Sequence, residues 1–348
     1  MDFFGHISPA AQFVIISAIK IVCVFGVVMP MVAYAVLAER KVSACIQDRL
    51  GPNRLGPGGI WQPVADGVKA FLKEDFTPAH VRKAYFWLAP MITMIPSLLV
   101  LAVIPFGSQL GGEKMVIADL NVGILYTFGI VSLGVYGIVL AGYASNSKYP
   151  FLGGIRSSAQ MISYEIAMGM SVIPVFLIVG NLNLGQVIEY QAQQGWLIFY
   201  APVSFIIFMI SAFAETNRLP FDLPESEQEL VAGYNTEYSS MKFALFFMGE
   251  YANMIAVSAM MVTLFLGGWT LPIPGLHTVA GGSQWVLGVF HIVVFLAKVV
   301  LLLGMFIWVR WMWPRFRYDQ LMNLGWRVFI PLALANIVAT AVWLWLIQ

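Results

Sequence analysis

Seven carboxylates are concentrated between Glu215 and Glu250, in a chain whose composition is that of a protein built for lipid. They are Glu215, Asp222, Glu225, Glu227, Glu229, Glu237 and Glu250, and Glu165 is a further acid inside an apolar run. An ionised acid at the centre of a membrane helix costs about 2.5 to 3.5 kcal/mol, so such residues usually carry protons or cations, or bind a charged ligand. The placement predicts an acidic path in the membrane.

Helix capping offers a structural explanation for some of these acids. Pro224 followed by carboxylates is typical of a helix start, where acids compensate the positive end of the helix dipole. If a helix begins there, Glu225 and Glu229 share one face and Glu227 points away. Repulsion between like charges would then favour a proton on at least one of the pair, which also suits a proton carrier.

The composition and length indicate a polytopic membrane protein. Hydrophobic residues make up 59% of the 348 residues and charged residues 11%, against about 25% charged in a soluble domain. We expect a single all-α membrane domain over 1–348, with eight transmembrane helices, an interfacial amphipathic helix and a long acidic loop between helices five and six. The predicted spans are about 11–38, 85–106, 122–144, 160–180, 196–214, 243–268, 285–309 and 326–347, with loop 1-2 at 39–84 and the acidic loop 5-6 at 215–242.

The distribution of positive charge predicts the orientation. Loops 1-2, 3-4, 5-6 and 7-8 hold sixteen of the 19 lysines and arginines, counting Arg327 at the edge of the last span, and the alternate loops hold only Lys114. The positive-inside rule then places these four loops on the cytoplasmic or matrix side. We expect the first span to be a retained helix, because no small-residue cleavage signal follows it. The length and loops favour a bacterial inner membrane over a mitochondrial one.

Loop 1-2 contains an amphipathic pattern from Ile60 to Glu74, with Trp61, Val64 and Val68 on its apolar face. Such a helix lies in the plane of the membrane surface. It could be a surface anchor, or a doorway through which a long-tailed quinone enters from the bilayer. Upstream, 47–54 concentrates turn formers and two arginines, and it could be an ordinary loop facing anionic lipid heads.

The remaining reactive residues exclude several kinds of chemistry. Cys23 and Cys45 are the only cysteines and cannot hold an iron–sulfur cluster. The four histidines are scattered without ligand spacing, so we expect no metal site, and no nucleotide-binding motif is present. A net charge of +1 indicates no nucleic acid partner. Lys20 and Lys298 lie within spans and are possible partners of Glu165 and Glu250.

Several ordered motifs resemble one family. They are Ala214 to Glu225 and its continuation through Glu237, Phe246 to Tyr251, Ala38 to Lys41, Gly51 to Arg54, Asp66 to Lys69 and Ser163 to Glu165. From about residue 30 to the last span, the chain resembles the H subunits of proton-pumping NADH:quinone oxidoreductase, respiratory complex I, which correspond to the first NADH dehydrogenase membrane subunit of mitochondria. One departure is Ser226, where the family would have Gly or Ala between two acids.

The resemblance implies a membrane subunit of an enzyme, the proton-translocating NADH:ubiquinone reductase, with no redox centre or catalytic residue of its own. It implies that the subunit forms much of the quinone chamber and links quinone reduction, with ubiquinone expected, to proton translocation. FMN and iron–sulfur clusters would belong to partner subunits. Those partners are the quinone-site and terminal iron–sulfur subunits of the peripheral arm and the other subunits of the membrane arm, together with lipids.

The resemblance also assigns roles by position. The acidic path would comprise Glu165, Glu215, Asp222, Glu225, Glu227, Glu229, Glu237 and Glu250, with Arg218 pairing with a carboxylate. Arg40, Arg49, Asp66 and Lys69 would lie at the chamber entrance, with Phe247 as an apolar wall. Two alternatives remain, a membrane subunit of an energy-converting hydrogenase and a cation/proton antiporter. An antiporter would need paired lysine and glutamate sites in repeated, broken helices, and the sequence has no internal repeat.

Overall fold

The computed structural model describes residues 8–223, 231–272 and 284–347. In these ranges the chain is helical apart from loops and one short antiparallel hairpin, β1 (Gln109–Leu110) and β2 (Glu113–Lys114). The α-helices are α1 (Pro9–Ile46), α2 (Gln62–Leu72), α3 (Lys83–Leu99), α4 (Gly123–Ala144), α5 (Lys148–Val179), α6 (Leu184–Gln194), α7 (Leu197–Tyr200), α8 (Pro202–Glu215), α9 (Ser240–Phe265), α10 (Gln284–Met312), α11 (Tyr318–Asn323) and α12 (Ile330–Ile347). A π-helical turn, Leu324–Phe329, joins the last two.

Seven helical stretches in the described residues are long and apolar enough to cross a membrane. They are α1, α3, α4, α5, α9, α10 and the continuous run from Tyr318 to Ile347. The all-α membrane fold is therefore confirmed. The predicted fifth span, 196–214, is instead two helices, α7 and the 14-residue α8. At 1.5 Å per residue α8 reaches only about 21 Å, so length alone does not establish an eighth crossing.

The break before α8 has a local cause. Ala201 leaves the helical region with φ −132° and ψ 58°, and Pro202 begins the next helix. Proline has no N–H to donate to the preceding turn, and its ring suits only the first turn of a helix. The chain therefore stops one helix at Tyr200 and starts another two residues later.

Two helices extend well beyond the apolar runs that predicted them. The first continues to Ile46 and so carries Glu39 and Arg40 within regular helix, and α5 begins at Lys148 rather than near 160. One face of the added turns of α5, with Pro150, Gly153 and Ser157, is buried in the protein. A Cβ on Gly153 would lie 2.9 Å from the Cα of Gly233, so only glycine allows the short turn at Gly233–Asn235 to approach so closely.

The core is organised around α5 and α9. The former packs against α4, α8 and α12, and the latter against α1, α3 and α10. Nearly every side chain of α9 from Tyr251 to Phe265 is buried, whereas on α12 only Ala333 is. A helix that is apolar all round belongs in an interior or in lipid. We therefore place α9 at the centre of the bundle and α12 at its rim.

Candidate functional site: a buried charged cluster and an adjacent cavity

Four charged side chains meet where α1, α9 and α10 approach the segment after α8. We call Glu39, Arg218, Glu250 and Arg310 the arginine–glutamate cluster. Arg218 Nη1 lies 3.3 Å from Glu39 Oε2, and its Nη2 lies 3.9 Å from Glu250 Oε2. Arg310 forms a second ion pair with Glu39. Two acids and two bases balance in charge, which is what ionised groups require when they are removed from water.

Two tyrosines complete the cluster. The Tyr251 hydroxyl donates to Glu39 Oε2 at 2.5 Å, and the Tyr234 hydroxyl donates to Glu250 Oε1 at 2.9 Å. The Arg218 guanidinium also lies over the Tyr251 ring, 4.2 Å from its centroid. Hydrogen bonds to ionised groups are the stronger ones. Each carboxylate is therefore held by both an arginine and a tyrosine.

A buried glutamine fixes the segment that carries Arg218. The amide nitrogen of Gln160 on α5 donates to the carbonyl oxygens of Ala214 and Phe221, at 2.8 and 2.7 Å, and lies 3.2 Å from Asn217 Oδ1. The contact with Ala214 satisfies a carbonyl at the end of α8, where the helix supplies no regular donor, and the contact with Phe221 holds the loop that follows. The position of Arg218 is thus set by α5, a helix distant from it in sequence.

A small cavity connects the cluster to a more deeply buried acid. It has a volume of about 40 Å³, and both Glu215 and Glu250 line it, together with Tyr234 and Asn217. Glu215 is 1% exposed, and within the described residues neither of its carboxylate oxygens accepts a hydrogen bond. A cavity of this size and polarity can hold a few ordered water molecules. Water in this cavity can connect Glu215 to Glu250 by hydrogen bonds.

Glu165 on α5 is a second acid near this site with no cation at ion-pair distance among the residues that the structure describes. It is partly buried and accepts a hydrogen bond from the Ser132 hydroxyl on α4. Its helix, α5, packs against α8, the helix that ends in Glu215. Two uncompensated acids thus lie beside a compensated cluster.

The structure places the remaining predicted acids at the edge of this site. Asp222 pairs with Arg315, whose Nη2 is 3.0 Å from Asp222 Oδ2, and Glu237 lies 3.7 Å from the His80 ring nitrogen. Tyr238 follows Glu237 in the chain. Burial raises the pKa of the Tyr238 phenol, so this tyrosine stays neutral. The predicted path residues Glu225, Glu227 and Glu229 lie outside the described residues.

The predicted entrance residues Arg40, Asp66 and Lys69 meet where α1 contacts α2. Arg40 Nη1 lies 2.6 Å from Asp66 Oδ2, and Lys69 Nζ lies 3.5 Å from Asp66 Oδ1. Arg49 does not join them and instead donates to the Gln47 side chain at 2.7 Å. Phe247 lies deeper, with its ring centroid 5.0 Å from that of Tyr251 in the cluster.

The amphipathic pattern between Ile60 and Glu74 is present as helix α2. Val64, Val68 and Phe71 are all more than half exposed, and no residue of α2 is buried. The end of α2 is tied to the start of α9, because the Ser240 hydroxyl lies 3.0 Å from the Ala70 carbonyl oxygen. An exposed apolar face on a tethered helix suits a position on the membrane surface.

Neither of the two lysines within the predicted spans pairs with Glu165 or Glu250, so that prediction is wrong. Lys298 Nζ donates to the carbonyl oxygens of Leu266, Gly268 and Thr270, at 2.7, 2.9 and 2.5 Å. These carbonyls follow the C-terminal end of α9, where unpaired oxygens and the helix dipole attract a cation. Lys20 instead lies 3.6 Å from Glu113 Oε2 on the β1–β2 hairpin.

Comparison with known proteins identifies the family. The sequence model described as NADH dehydrogenase matches residues 19–341. The chain is 52% identical over 338 residues to the H subunit of NADH-quinone oxidoreductase from Rickettsia bellii, covering 97% of this chain and 94% of the relative. It is 49% identical over 343 residues to the H subunit from Rhodospirillum rubrum, covering 98% and 96%.

The chain belongs to the family of NADH-quinone oxidoreductase H subunits. A third relative, an H subunit from Cytophaga hutchinsonii, is 48% identical over 333 residues. These relatives are subunits of an enzyme complex.

For this member of the H-subunit family, sequence reasoning missed several residues of the site. Glu39 and Arg310 lie at the ends of apolar runs, where charged residues usually mark only the membrane surface. Ser132 belongs to a pattern that any core helix can show. Tyr234 and Tyr251 lie within motifs that resemble the family, but nothing in the sequence marks them as partners of the acids. The one available signal for Glu39 is its place within the motif Ala38 to Lys41, which is among those that resemble the family.

Proposed function

We propose that this chain forms much of the quinone chamber of a proton-translocating NADH:quinone oxidoreductase, respiratory complex I. We further propose that it links quinone reduction to proton translocation through its carboxylates. The observation that carries this proposal is the cavity that Glu215 and Glu250 share, beside the arginine–glutamate cluster. It gives buried acids a route for exchanging protons through water.

Electrons would come from partner subunits. FMN and iron–sulfur clusters in those subunits would carry them from NADH to quinone, with the last cluster in the peripheral arm next to the chamber. This chain's contribution is the chamber wall, the entrance and the acidic path. Quinone, with ubiquinone as the expected form, is the substrate.

Reduction of the quinone by two electrons requires two protons, and negative charge develops on the quinone until they arrive. The arginine–glutamate cluster would respond first, because Arg218 lies between two carboxylates and can strengthen its contact with either one. A shift of Arg218 from Glu250 toward Glu39 would leave Glu250 less compensated and favour a proton on it. That proton could pass through the cavity to Glu215, since coupled acids titrate as a set.

Quinone entry would use the junction of α1 and α2. The ion pair of Arg40 with Asp66 joins the two helices, and the exposed apolar face of α2 would rest on the lipid. A long isoprenoid tail could then follow the quinone head from the bilayer along this face toward Phe247. Arg49, Asp66 and Lys69 would contact the peripheral arm or the entering head group.

The membrane is proposed to be a bacterial inner membrane, because the relatives named above are bacterial. The positively charged loops 1-2, 3-4, 5-6 and 7-8 would face the cytoplasm. The peripheral arm would then dock on the same side as Arg40, Asp66 and the acidic segment.

The proposal predicts that Glu165→Gln and Glu227→Gln slow quinone-linked proton pumping. Both variants should retain electron transfer from NADH to artificial acceptors that take electrons upstream of the quinone. Proton uptake and acceptor reduction are measured in membrane vesicles that contain the intact complex. Glu189→Gln, an exposed acid on α6, is the matched control and should pump normally. Normal pumping in both test variants would contradict the proposal.

The entrance is tested by adding bulk to α2. Val68→Trp should slow reduction of long-tailed quinones more than that of short-tailed analogues, because only the long tail must slide past the apolar face. The kcat and KM of each quinone are compared in the intact complex. Lys73→Gln, a change on the polar side of the same segment, serves as the control. Equal slowing of long-tailed and short-tailed quinones by Val68→Trp would contradict quinone entry along the apolar face of α2.

A further inference from the structure

An apolar crevice lies between α1, α9 and α10, away from the charged cluster. Its volume is about 220 Å³, and its accessible lining is entirely apolar. The lining includes Cys23, Val27 and Met31 of α1, Ile255 of α9, and Phe295 and Val299 of α10. An apolar cavity of roughly 150 Å³ stays dry and accepts hydrocarbon. The crevice therefore offers water no hydrogen-bond partners and suits an aliphatic chain.

A pair of opposite charges lies about one turn of α1 before Cys23, the first residue of α1 that lines the crevice. Lys20 precedes Cys23 by three residues, about one turn of α1, and its Nζ lies 3.6 Å from Glu113 Oε2 on the hairpin. The side chain of Lys20 is 14% exposed and that of Glu113 is 54% exposed. A charged pair beside an apolar crevice matches the shape of an amphipathic ligand. The polar head group of the ligand would contact the charges, and its apolar tail would lie in the crevice.

The position along α1 places this charge pair at the membrane surface. Lys20 and Glu39 are nineteen positions apart in one helix, which at 1.5 Å per residue is about 28 Å. The hydrocarbon core is about 30 Å thick. With Glu39 at one boundary, Lys20 therefore lies at the other, at the depth of lipid head groups, and the crevice extends from there into the bilayer.

We propose that this crevice binds one acyl chain of a phospholipid, with the lipid phosphate at Lys20 and an amine-bearing head group reaching Glu113. Exposed apolar side chains on either side of the slot, Val22 and Phe25 on α1 and Val293 on α10, would contact the surrounding lipid. The two charges favour a zwitterionic phospholipid over a quinone, whose head group carries no charge. The site is independent of the proposed proton path and entrance.

The test uses the intact complex, reconstituted with phosphatidylethanolamine that carries a photoactivatable diazirine in one acyl chain. After illumination, peptide mass spectrometry should find the lipid on peptides that contain Cys23, Val27 or Phe295. Val27→Trp fills the slot from an exposed position and should lower this labelling by roughly tenfold or more. Val22→Trp adds the same bulk on the same helix outside the slot and should leave labelling unchanged.

The head-group contacts are tested with Lys20→Met and Lys20→Arg. The methionine variant should lose most of the labelling and the arginine variant should keep it, since arginine also binds phosphate. Equal labelling in Val27→Trp and the unsubstituted complex would overturn the proposal. So would labelling of the slot by a photoactivatable isoprenoid quinone but not by the phospholipid, or a cross-link from Cys23 to another polypeptide of the complex. None of these readouts depends on quinone reduction, so failure here is distinct from failure of the proposed function.

Discussion

The two groups of buried acids differ in how their charge is balanced. Glu39 and Glu250 contact arginines and tyrosines, so their ionised forms are compensated. Glu165 and Glu215 have no cation at ion-pair distance among the residues described, and Glu165 accepts only a serine hydroxyl. A compensated acid has little reason to change protonation, whereas an uncompensated acid is costly to ionise. The first group therefore maintains the geometry while its ion pairs hold, and in our proposal Glu250 takes up a proton only when Arg218 moves toward Glu39. The second group is suited to exchanging protons without such a movement.

The largest expected effect follows from removing the shared cation. Arg218→Met removes the cation that Glu39 and Glu250 share, and breaking a buried ion pair costs about 3 to 5 kcal/mol. We expect little assembled complex, measured by native electrophoresis of solubilised membranes. Arg327→Met, an exposed arginine before α12, should assemble normally. Full assembly of Arg218→Met would show that the cluster does not hold these segments together.

A second prediction separates the two groups directly. Glu39→Gln removes a compensated charge and leaves Arg310 without its carboxylate, so we expect a loss of about 3 kcal/mol in the stability of the complex. Glu215→Gln replaces an uncompensated acid with a neutral side chain of similar size, so stability should be unchanged or slightly higher while pumping falls. Thermal unfolding of the two purified complexes measures this difference. Equal destabilisation of the Glu39→Gln and Glu215→Gln complexes would contradict the difference in charge compensation between the two groups of acids.

The smallest effect is expected at the hydrogen bond to Glu165. Ser132→Ala removes its only hydroxyl partner in the described chain, and a hydrogen bond to a charged group contributes about 1.5 to 3 kcal/mol. Quinone reductase activity should fall by about tenfold, with assembly intact. Ser158→Ala, whose hydroxyl bonds to its own helix backbone at Ile155, is the control. Unchanged activity in Ser132→Ala would indicate that Glu165 does not depend on this contact.

The sequence predicted the helical membrane fold well, because side chains that contact lipid must be apolar and long apolar runs are easy to recognise. It predicted helix ends less well. The extensions of α1 to Ile46 and of α5 back to Lys148 contain charged residues, among them Arg40, Lys41 and Lys148, so they lack a continuous apolar run. The proline at position 202 was visible, but whether it interrupts or begins a helix depends on the path of the preceding residue.

The composition of the site was predictable only in part. The acids between Glu215 and Glu250 stand out against an apolar background, and the resemblance added Glu165 and Arg218. The contact of Arg218 with Glu39 joins residues 179 positions apart, and no local pattern encodes it. The partners of Lys298 are backbone carbonyls, which every residue possesses. The hydrogen bonds of Lys298 could therefore not be predicted from the sequence, because they depend on where α9 ends in space.

The most direct measurement is infrared difference spectroscopy of the intact complex as bound quinone is reduced. A protonated carboxyl group gives a carbonyl band that an ionised carboxylate lacks, so the spectrum reports which acids change protonation. We predict that Glu215→Gln removes a band present in the unsubstituted complex, while an assembled fraction of Glu39→Gln retains every such band. Loss of a carbonyl band in Glu39→Gln, with none lost in Glu215→Gln, would contradict the assignment of proton exchange to the uncompensated acids.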